Sequence, residues 1–267
     1  MTPTLVFDLE TIPDIAGLRR LNGWGADISD DEVVERARTA RLEAVGHDFL
    51  PLHLQQVVVI GCVFRDAQGL RVRTLGKADD PEPKLIQQFF KTVEYYTPRL
   101  VSWNGSGFDL PVLHYRALIH GVVASRYWEL GDEDRDFRYS NYISRYHMRH
   151  IDLMDVLAKY NARANAPMDE LAQLCGFAGK LGMDGSQVWP AWRDGRHEEV
   201  RAYCETDVVN TWLLFCRFQL MRGELLPEQY QAELDLVRET LTTLDAPHWR
   251  EYLDAWGASV RSWGVPG

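Results

Sequence analysis

The stretch that decides the fold is the apolar run Thr4-Leu5-Val6-Phe7-Asp8-Leu9-Glu10-Thr11, near the beginning of the chain. Its β-branched and aromatic residues predict a buried strand. Strand side chains alternate between faces, so Asp8 and Glu10 emerge side by side on one face. Two carboxylates held this close repel each other unless a cation neutralises them. The run therefore predicts a strand that carries part of a divalent metal site.

Length and composition bound the class of protein. The 267 residues suffice for one large domain or for a domain with a helical extension, and 46% hydrophobic with 25% charged residues is typical of a globular soluble protein. No apolar run reaches the length of a membrane span, and the N-terminus lacks a signal pattern, so we expect a cytoplasmic protein without a membrane partner. The four cysteines have no CxxC spacing, which argues against zinc. A net charge of -10 argues against a protein that coats long nucleic acids.

Predicted strands come first in the chain, with helices between and after them. The strands are expected at 4–11, 56–64, 71–75, 99–104 and 150–153, and the helices at 29–45, 84–95, 109–120, 153–160, 168–175, 195–221 and, as a pair, 227–263. This order predicts an α/β fold, a mixed sheet covered by helices. We predict one domain over residues 1–222 and a C-terminal helical extension over 223–267. The sequence leaves open whether the extension packs on the core or forms a homo-oligomer.

Two further acids lie where they can join the first pair. Asp109 is expected at a corner between a strand and a helix, because Pro111 suits the first helical turn. Tyr203 and Asp207 are four residues apart on a predicted helix, so a phenol and a carboxylate project from one face. The four acids are hard oxygen ligands suited to Mg²⁺ or Mn²⁺. Structural alternatives stay open: Asp8 and Glu10 can be solvated surface at a strand end, Asp109 can favour a helix N-terminus electrostatically, and Tyr203 can belong to the core.

Three segments in order resemble the motifs of a known enzyme family. FDLET at 7–11, NGSGFDLP at 104–111 and YCETD at 203–207 resemble those of the DEDD exonucleases, in the branch whose third motif is Tyr-x-x-x-Asp. The histidine branch would place His where this chain has Ala202. Over about residues 4–217 the chain resembles stand-alone predicted 3'-5' exonucleases related to the proofreading domain of family B DNA polymerases. The resemblance implies a ribonuclease H-like mixed sheet flanked by helices.

The resemblance also implies how two divalent ions, Mg²⁺ or Mn²⁺, would be held. Asp8 would bridge both ions, and Glu10 and Asp207 would complete the site of the ion that activates water. Asp109 would hold the second ion, largely through water. Such paired ions activate the nucleophile and stabilise the leaving oxygen in phosphodiester cleavage. The expected products are nucleoside monophosphates released from a 3' end.

Roles outside the metal site follow from the same resemblance. Tyr203 would orient the attacking water, and Asn104 and Phe108 would position the terminal nucleotide. Asp152 matches an acid between the second and third motifs and would support the metal ligands from behind. Capping of the following helix is an equal alternative for Asp152.

Candidate substrate contacts lie outside the motifs. The acid-free stretch Arg138 to Arg149 interleaves arginine and tyrosine, which favours stacked single-stranded bases and paired phosphates, with Arg138, Tyr142 and Arg145 as contacts. A surface loop with some buried aromatics is the equal alternative. Lys180, in the loop FAGKLGMDG, is a candidate phosphate contact or part of an ordinary turn. Because the chain stays acidic even with metals bound, we favour short single-stranded 3' ends of DNA or RNA, or small oligonucleotides, as substrate.

Two other functions stay open. An inactive relative would hold single-stranded ends without cutting them, although intact clustered acids argue against it. An endonuclease on the same fold would cut internally with the same metals.

Overall fold

The computed structural model describes residues 2–262, with side chains to residue 258. Trp263, the end expected for the C-terminal helices, lies outside the described residues. The chain forms a five-stranded sheet in the order β3-β2-β1-β4-β5. The strands are β1 (Thr4–Pro13), β2 (Gln55–Asp66), β3 (Gly69–Thr74), β4 (Arg99–Ser102) and β5 (His150–Asp152). β1 to β3 are antiparallel, whereas β4 and β5 run parallel to β1.

Helices cover both faces of this sheet. Over the described residues they are α1 (Ile15–Asn22), α2 (Asp30–Val45), α3 (Glu82–Tyr96), α4 (Asp109–His120), α5 (Leu153–Leu157), α6 (Met168–Leu174), α7 (Val188–Arg193), α8 (His197–Met221), α9 (Pro227–Leu244) and α10 (Pro247–Ser262). None of them is both long and apolar enough to cross a membrane. A mixed sheet flanked by helices is the predicted α/β, ribonuclease H-like fold, which is confirmed.

The alternation of β1 side chains explains the two-sided core. Leu5, Phe7 and Leu9 pack in one buried cluster with residues of α3 and α4. Val6, on the opposite face, packs in a second cluster with residues of α8. Asp8 and Glu10 share the face of Val6, so the strand presents its two acids towards α8.

The first strand is longer than expected. It was predicted to end at Thr11, but pairing with β2 continues to Pro13. A β-bulge lies between Glu10 and Thr11, where Val58 is the extra residue of β2. The neighbouring Val57 N–H donates to the buried carboxylate of Glu82 instead of to a strand carbonyl (2.8 Å). Pairing between β1 and β2 thus continues past the bulge to Pro13, beyond the predicted end of the strand at Thr11.

Other differences concern short helices. Neither α1 nor α7 was predicted, and α5 ends at Leu157 instead of near Tyr160, because Lys159 and Tyr160 both have positive φ. α1 and α2 together form a helical hairpin between β1 and β2, with a small core of its own.

The C-terminal helices pack on α8 and β3. Leu234 and Leu241 of α9 and Trp256 of α10 belong to the same buried cluster as α8. The buried Tyr252 hydroxyl donates to Asn210 on α8 (2.6 Å). The division at residue 222 and any homo-oligomer stay predictions.

Candidate active site

Four carboxylates from three elements meet in one cleft. Asp8 and Glu10 lie on β1, Asp109 is the first residue of α4, and Asp207 lies in the first half of α8. The Asp109 carboxylate accepts the backbone N–H of Leu9, between the two strand acids (2.9 Å). This bond ties the start of α4 to the β1 acids, so the parallel pairing of β4 with β1 delivers Asp109 to the site.

Burial and mutual repulsion strongly perturb these acids. Burial, followed by repulsion from neighbouring carboxylates, raises the pKa of Asp8 and of Glu10 well above the usual range. Burial raises the pKa of Asp109 to about 7, despite the stabilising Leu9 hydrogen bond. Burial also raises the pKa of Asp207, against the opposing effect of Lys180. A low-dielectric cleft that collects four acids favours the binding of cations.

Lys180 lies inside the acid cluster, between α6 and α7. Its ammonium is 2.8 Å from an Asp207 carboxylate oxygen and donates to the Tyr203 hydroxyl (2.5 Å). Its charge lowers the pKa values of Asp8 and Glu10. The structure shows that Lys180 neutralises part of the acid cluster, and its predicted contact with a phosphate stays a prediction.

The donor set fits a hard divalent cation. The Asp207 Oδ1 atom is buried and has no hydrogen-bond partner among the described residues, so one carboxylate oxygen is free to bind a cation. Ligand atoms of Asp8, Glu10 and Cys204 all lie within 4.8 Å of one another. Cys204 was not foreseen as a neighbour of the acids, and its place next to Tyr203 on α8 was the available signal. The carboxylates would hold the ions, because oxygen ligands are the ones Mg²⁺ and Mn²⁺ prefer.

Asp152 shapes the loop that precedes α4. Its carboxylate accepts the backbone N–H groups of Asn104 (2.9 Å) and Ser106 (2.8 Å), and it also caps α5 through Asp155. Asn104 has φ 65°, which is a strained conformation for a residue other than glycine. Asp152 therefore caps α5 and holds the loop that carries Asn104 and Phe108, while its support of the metal ligands stays a prediction.

The cleft has two lobes on either side of the acids. The inner lobe, about 450 Å³, is lined by Glu10, Arg38, Phe49, Trp189 and Tyr203. The middle lobe, about 610 Å³, is lined by Trp103, Asn104, Asp109, Asn165 and Met168. Both are also lined by Asp8, Phe108, Lys180 and Asp207. The acids thus stand at the junction of two spaces; of the predicted nucleotide contacts, Phe108 lines both spaces and Asn104 lines the middle lobe.

The candidate substrate contacts in the stretch from Arg138 to Arg149 lie in different environments. The prediction that Tyr142 stacks on bases is wrong, because the side chain is 2% exposed, lies parallel to Tyr127 and donates to the Pro98 carbonyl. Arg138 is exposed and donates to the Gly131 carbonyl (3.0 Å), so its substrate contact stays a prediction. Arg145 pairs with Asp155 through two bonds (2.9 and 2.7 Å) while half of its side chain remains exposed.

A ribonuclease H-like fold whose cleft collects four carboxylates places the chain among nuclease-like proteins with a candidate metal site. A family model described as a predicted 3'-5' exonuclease related to the exonuclease domain of PolB matches residues 47–256. The chain belongs to this family. Asp109, Tyr203 and Asp207 lie within the matched range, whereas β1 with Asp8 and Glu10 precedes it.

A polymerase shares part of the sequence. The chain is similar to a DNA polymerase of Archaeoglobus fulgidus, with 26% identity over 153 residues. The similar segment is 56% of this chain and 18% of the polymerase, so this chain spans less than a fifth of that relative's length.

Proposed function

We propose that the protein is a metal-dependent 3'-5' exonuclease that removes nucleoside 5'-monophosphates from single-stranded ends. The observation that carries the proposal is the convergence of Asp8, Glu10, Asp109 and Asp207 from three separate elements onto one cleft. Within the described part of the chain, Asp207 Oδ1 has no hydrogen-bond partner. Repulsion among these four carboxylates is unfavourable, and bound cations would relieve it. Family membership supports the same activity.

Each acid has a proposed place. Asp8 lines both lobes and would contact two ions, Glu10 and Asp207 would hold the ion on the inner side, and Asp109 would hold the ion on the middle side. When bound, two Mg²⁺ or Mn²⁺ ions lower the pKa of a water and stabilise the leaving oxygen. Asp152 would keep Asp109 in place indirectly, through the Asn104 loop.

Tyr203 and Lys180 would act on the water and on the phosphate. Burial and the neighbouring carboxylates raise the pKa of Tyr203 far above its ordinary value, so the phenol stays protonated and can hold a water molecule by a hydrogen bond. Lys180 donates to the Tyr203 oxygen and fixes its direction. The same ammonium borders both lobes, where a scissile phosphate would meet it. Phe108 and Asn104 would position the nucleotides beside the phosphate.

Shortening of 5'-labelled strands tests this activity. Single-stranded DNA and RNA are incubated with Mg²⁺ or Mn²⁺ and with wild type or Asp8→Ala, whose folding is checked by circular dichroism. We expect a ladder that shortens from the 3' end, with monophosphate products, and no shortening by the variant. The proposal fails if wild type shortens neither polymer or if Asp8→Ala is equally active. A strand blocked at its 3' end should resist; continued internal cleavage would identify an endonuclease instead.

A further inference from the structure

A third cavity continues the cleft beyond the middle lobe. This outer lobe, about 560 Å³, is lined by Pro111, His114, Trp128, Ile143 and Arg145. It shares Asn104, Met154 and Asn165 with the middle lobe. Each of the three lobes falls in the range of ~300–1,000 Å³ that small-ligand pockets occupy. Inner, middle and outer lobes therefore form one continuous groove that passes the acids near one end.

The outer lobe has the chemistry of a base-stacking site. The Trp128 indole is 50% exposed, and it is supported from behind by His114 (ring centroids 4.8 Å apart) and Tyr127 (5.4 Å). Supported but exposed aromatic faces are the platforms on which single-stranded bases stack. His114 also lines the lobe and packs against both Tyr127 and Trp128, so it holds the indole in position. Arg145 also lines the lobe; it is paired with Asp155, and half of its side chain is exposed and can donate to a phosphate.

The direction of the strand follows from the proposed roles of the acids. In an in-line displacement the water and the leaving oxygen lie on opposite sides of the phosphorus. Glu10 and Tyr203, on the side of the water, line the inner lobe, whereas Asp109, on the side of the leaving oxygen, lines the middle lobe. The leaving oxygen belongs to the second nucleotide from the end. The second nucleotide therefore occupies the middle lobe, and the strand continues towards Trp128.

We propose that the outer lobe binds the third nucleotide from the 3' end of a single strand, with its base on Trp128 and Arg145 near its phosphate. The inference rests on the proposed exonuclease function and specifies the substrate as a single strand whose last three nucleotides contact the protein. Beyond the outer lobe the acidic chain gains little from further phosphates. A short groove of this kind explains how a protein with a net charge of -10 can act on a polyanion.

Oligonucleotide length tests the subsite. We measure kcat/KM for single strands of two, three, four and six nucleotides, as DNA and as RNA. For wild type, kcat/KM should rise by about 5-fold or more from dinucleotide to trinucleotide, the lower end of what one stacked base contributes, and then level off. Trp128→Ala should bring the trinucleotide to dinucleotide ratio close to one, whereas Trp128→Phe should retain most of it. Tyr95→Ala, on an exposed aromatic of α3 outside the three lobes, is the matched control and should keep the wild-type ratio.

Two additions keep the outcome decisive. Trp128→Leu preserves apolar packing but has no aromatic face, so it replaces the alanine variant if that protein does not fold. Binding of the same length series, protected by a 3'-terminal phosphorothioate, is measured by displacement of a labelled oligonucleotide. If wild type cuts nothing yet binds trinucleotides better than dinucleotides through Trp128, the exonuclease proposal falls and the subsite stands. If the length ratio survives Trp128→Ala and Trp128→Leu, or keeps rising steadily beyond three nucleotides, the subsite is refuted.

Discussion

Replacing Asp109 by asparagine should stabilise the metal-free protein at pH 8. The folded chain raises the pKa of this carboxyl to about 7, from an ordinary 3.8, through burial. A raised pKa means that its contribution to stability is fully present below pH 4 and is lost as the pH rises through 7. The difference between these two pKa values lowers the free energy of unfolding by about 4 kcal/mol at pH 8. Asparagine keeps an Oδ1 acceptor for the Leu9 N–H, so the gain is not offset by a broken hydrogen bond.

Urea unfolding in EDTA at pH 5 to 8 measures this effect. Asp109→Asn should exceed wild type by several kcal/mol at pH 8 and by less than half of that at pH 5. Added Mn²⁺ should stabilise wild type, by ~2.7 kcal/mol at a hundred times its dissociation constant, and the variant less. Asp235→Asn, an exposed acid of α9, should change stability by less than ~0.5 kcal/mol at every pH. If the stability difference between Asp109→Asn and wild type does not change with pH, or if there is no difference at pH 8, the electrostatic explanation is refuted.

Three further predictions concern packing, protonation and catalysis. Gly61→Ala should lower the free energy of unfolding in urea by ~1–3 kcal/mol, because the added Cβ would stand 2.7 Å from Cys204 Sγ. Adding Cys204→Ala should recover only part of this stability, since the Cys204 backbone oxygen also lies 3.0 Å from that Cβ. Burial lowers the pKa of His150 to about 4, so stability present above pH 6.5 is lost as the pH falls towards 4. His150→Asn should escape about 3 kcal/mol of that loss when urea unfolding is extended to pH 4. Tyr203→Phe should lower kcat for a 5'-labelled strand by ~10²-fold with little change in KM, and an unchanged kcat would remove Tyr203 from the mechanism.

The central strand and its acids were accessible from sequence because their signals are local. Apolar alternation placed Asp8 and Glu10 on one face, and that face indeed looks towards α8. The family and the fold class are both confirmed. The structure brings the four predicted acids together, while their roles in metal binding and catalysis stay predictions.

The contacts that escaped prediction join residues that lie far apart in the chain. Lys180 reaches Asp207 and Tyr203 only after a glycine-rich loop folds over α8, and no spacing rule encodes that approach. α7 is six residues long and contains Pro190, so it has too little periodicity to be read as a helix. Tyr142 resembled a stacking residue in composition, but its burial against Tyr127 is a tertiary fact.

The Lys180 ammonium group within the carboxylate cluster allows the protein to fold without bound metal ions. A newly made chain can close its acidic cleft around an internal cation, so the fold does not have to wait for Mg²⁺ or Mn²⁺. Asp207 keeps Oδ1 without a hydrogen-bond partner among the described residues, so this oxygen would hold an ion while Lys180 contacts the other. Metal binding, as proposed, would therefore add stability to a protein whose cleft is already assembled around its own ammonium group.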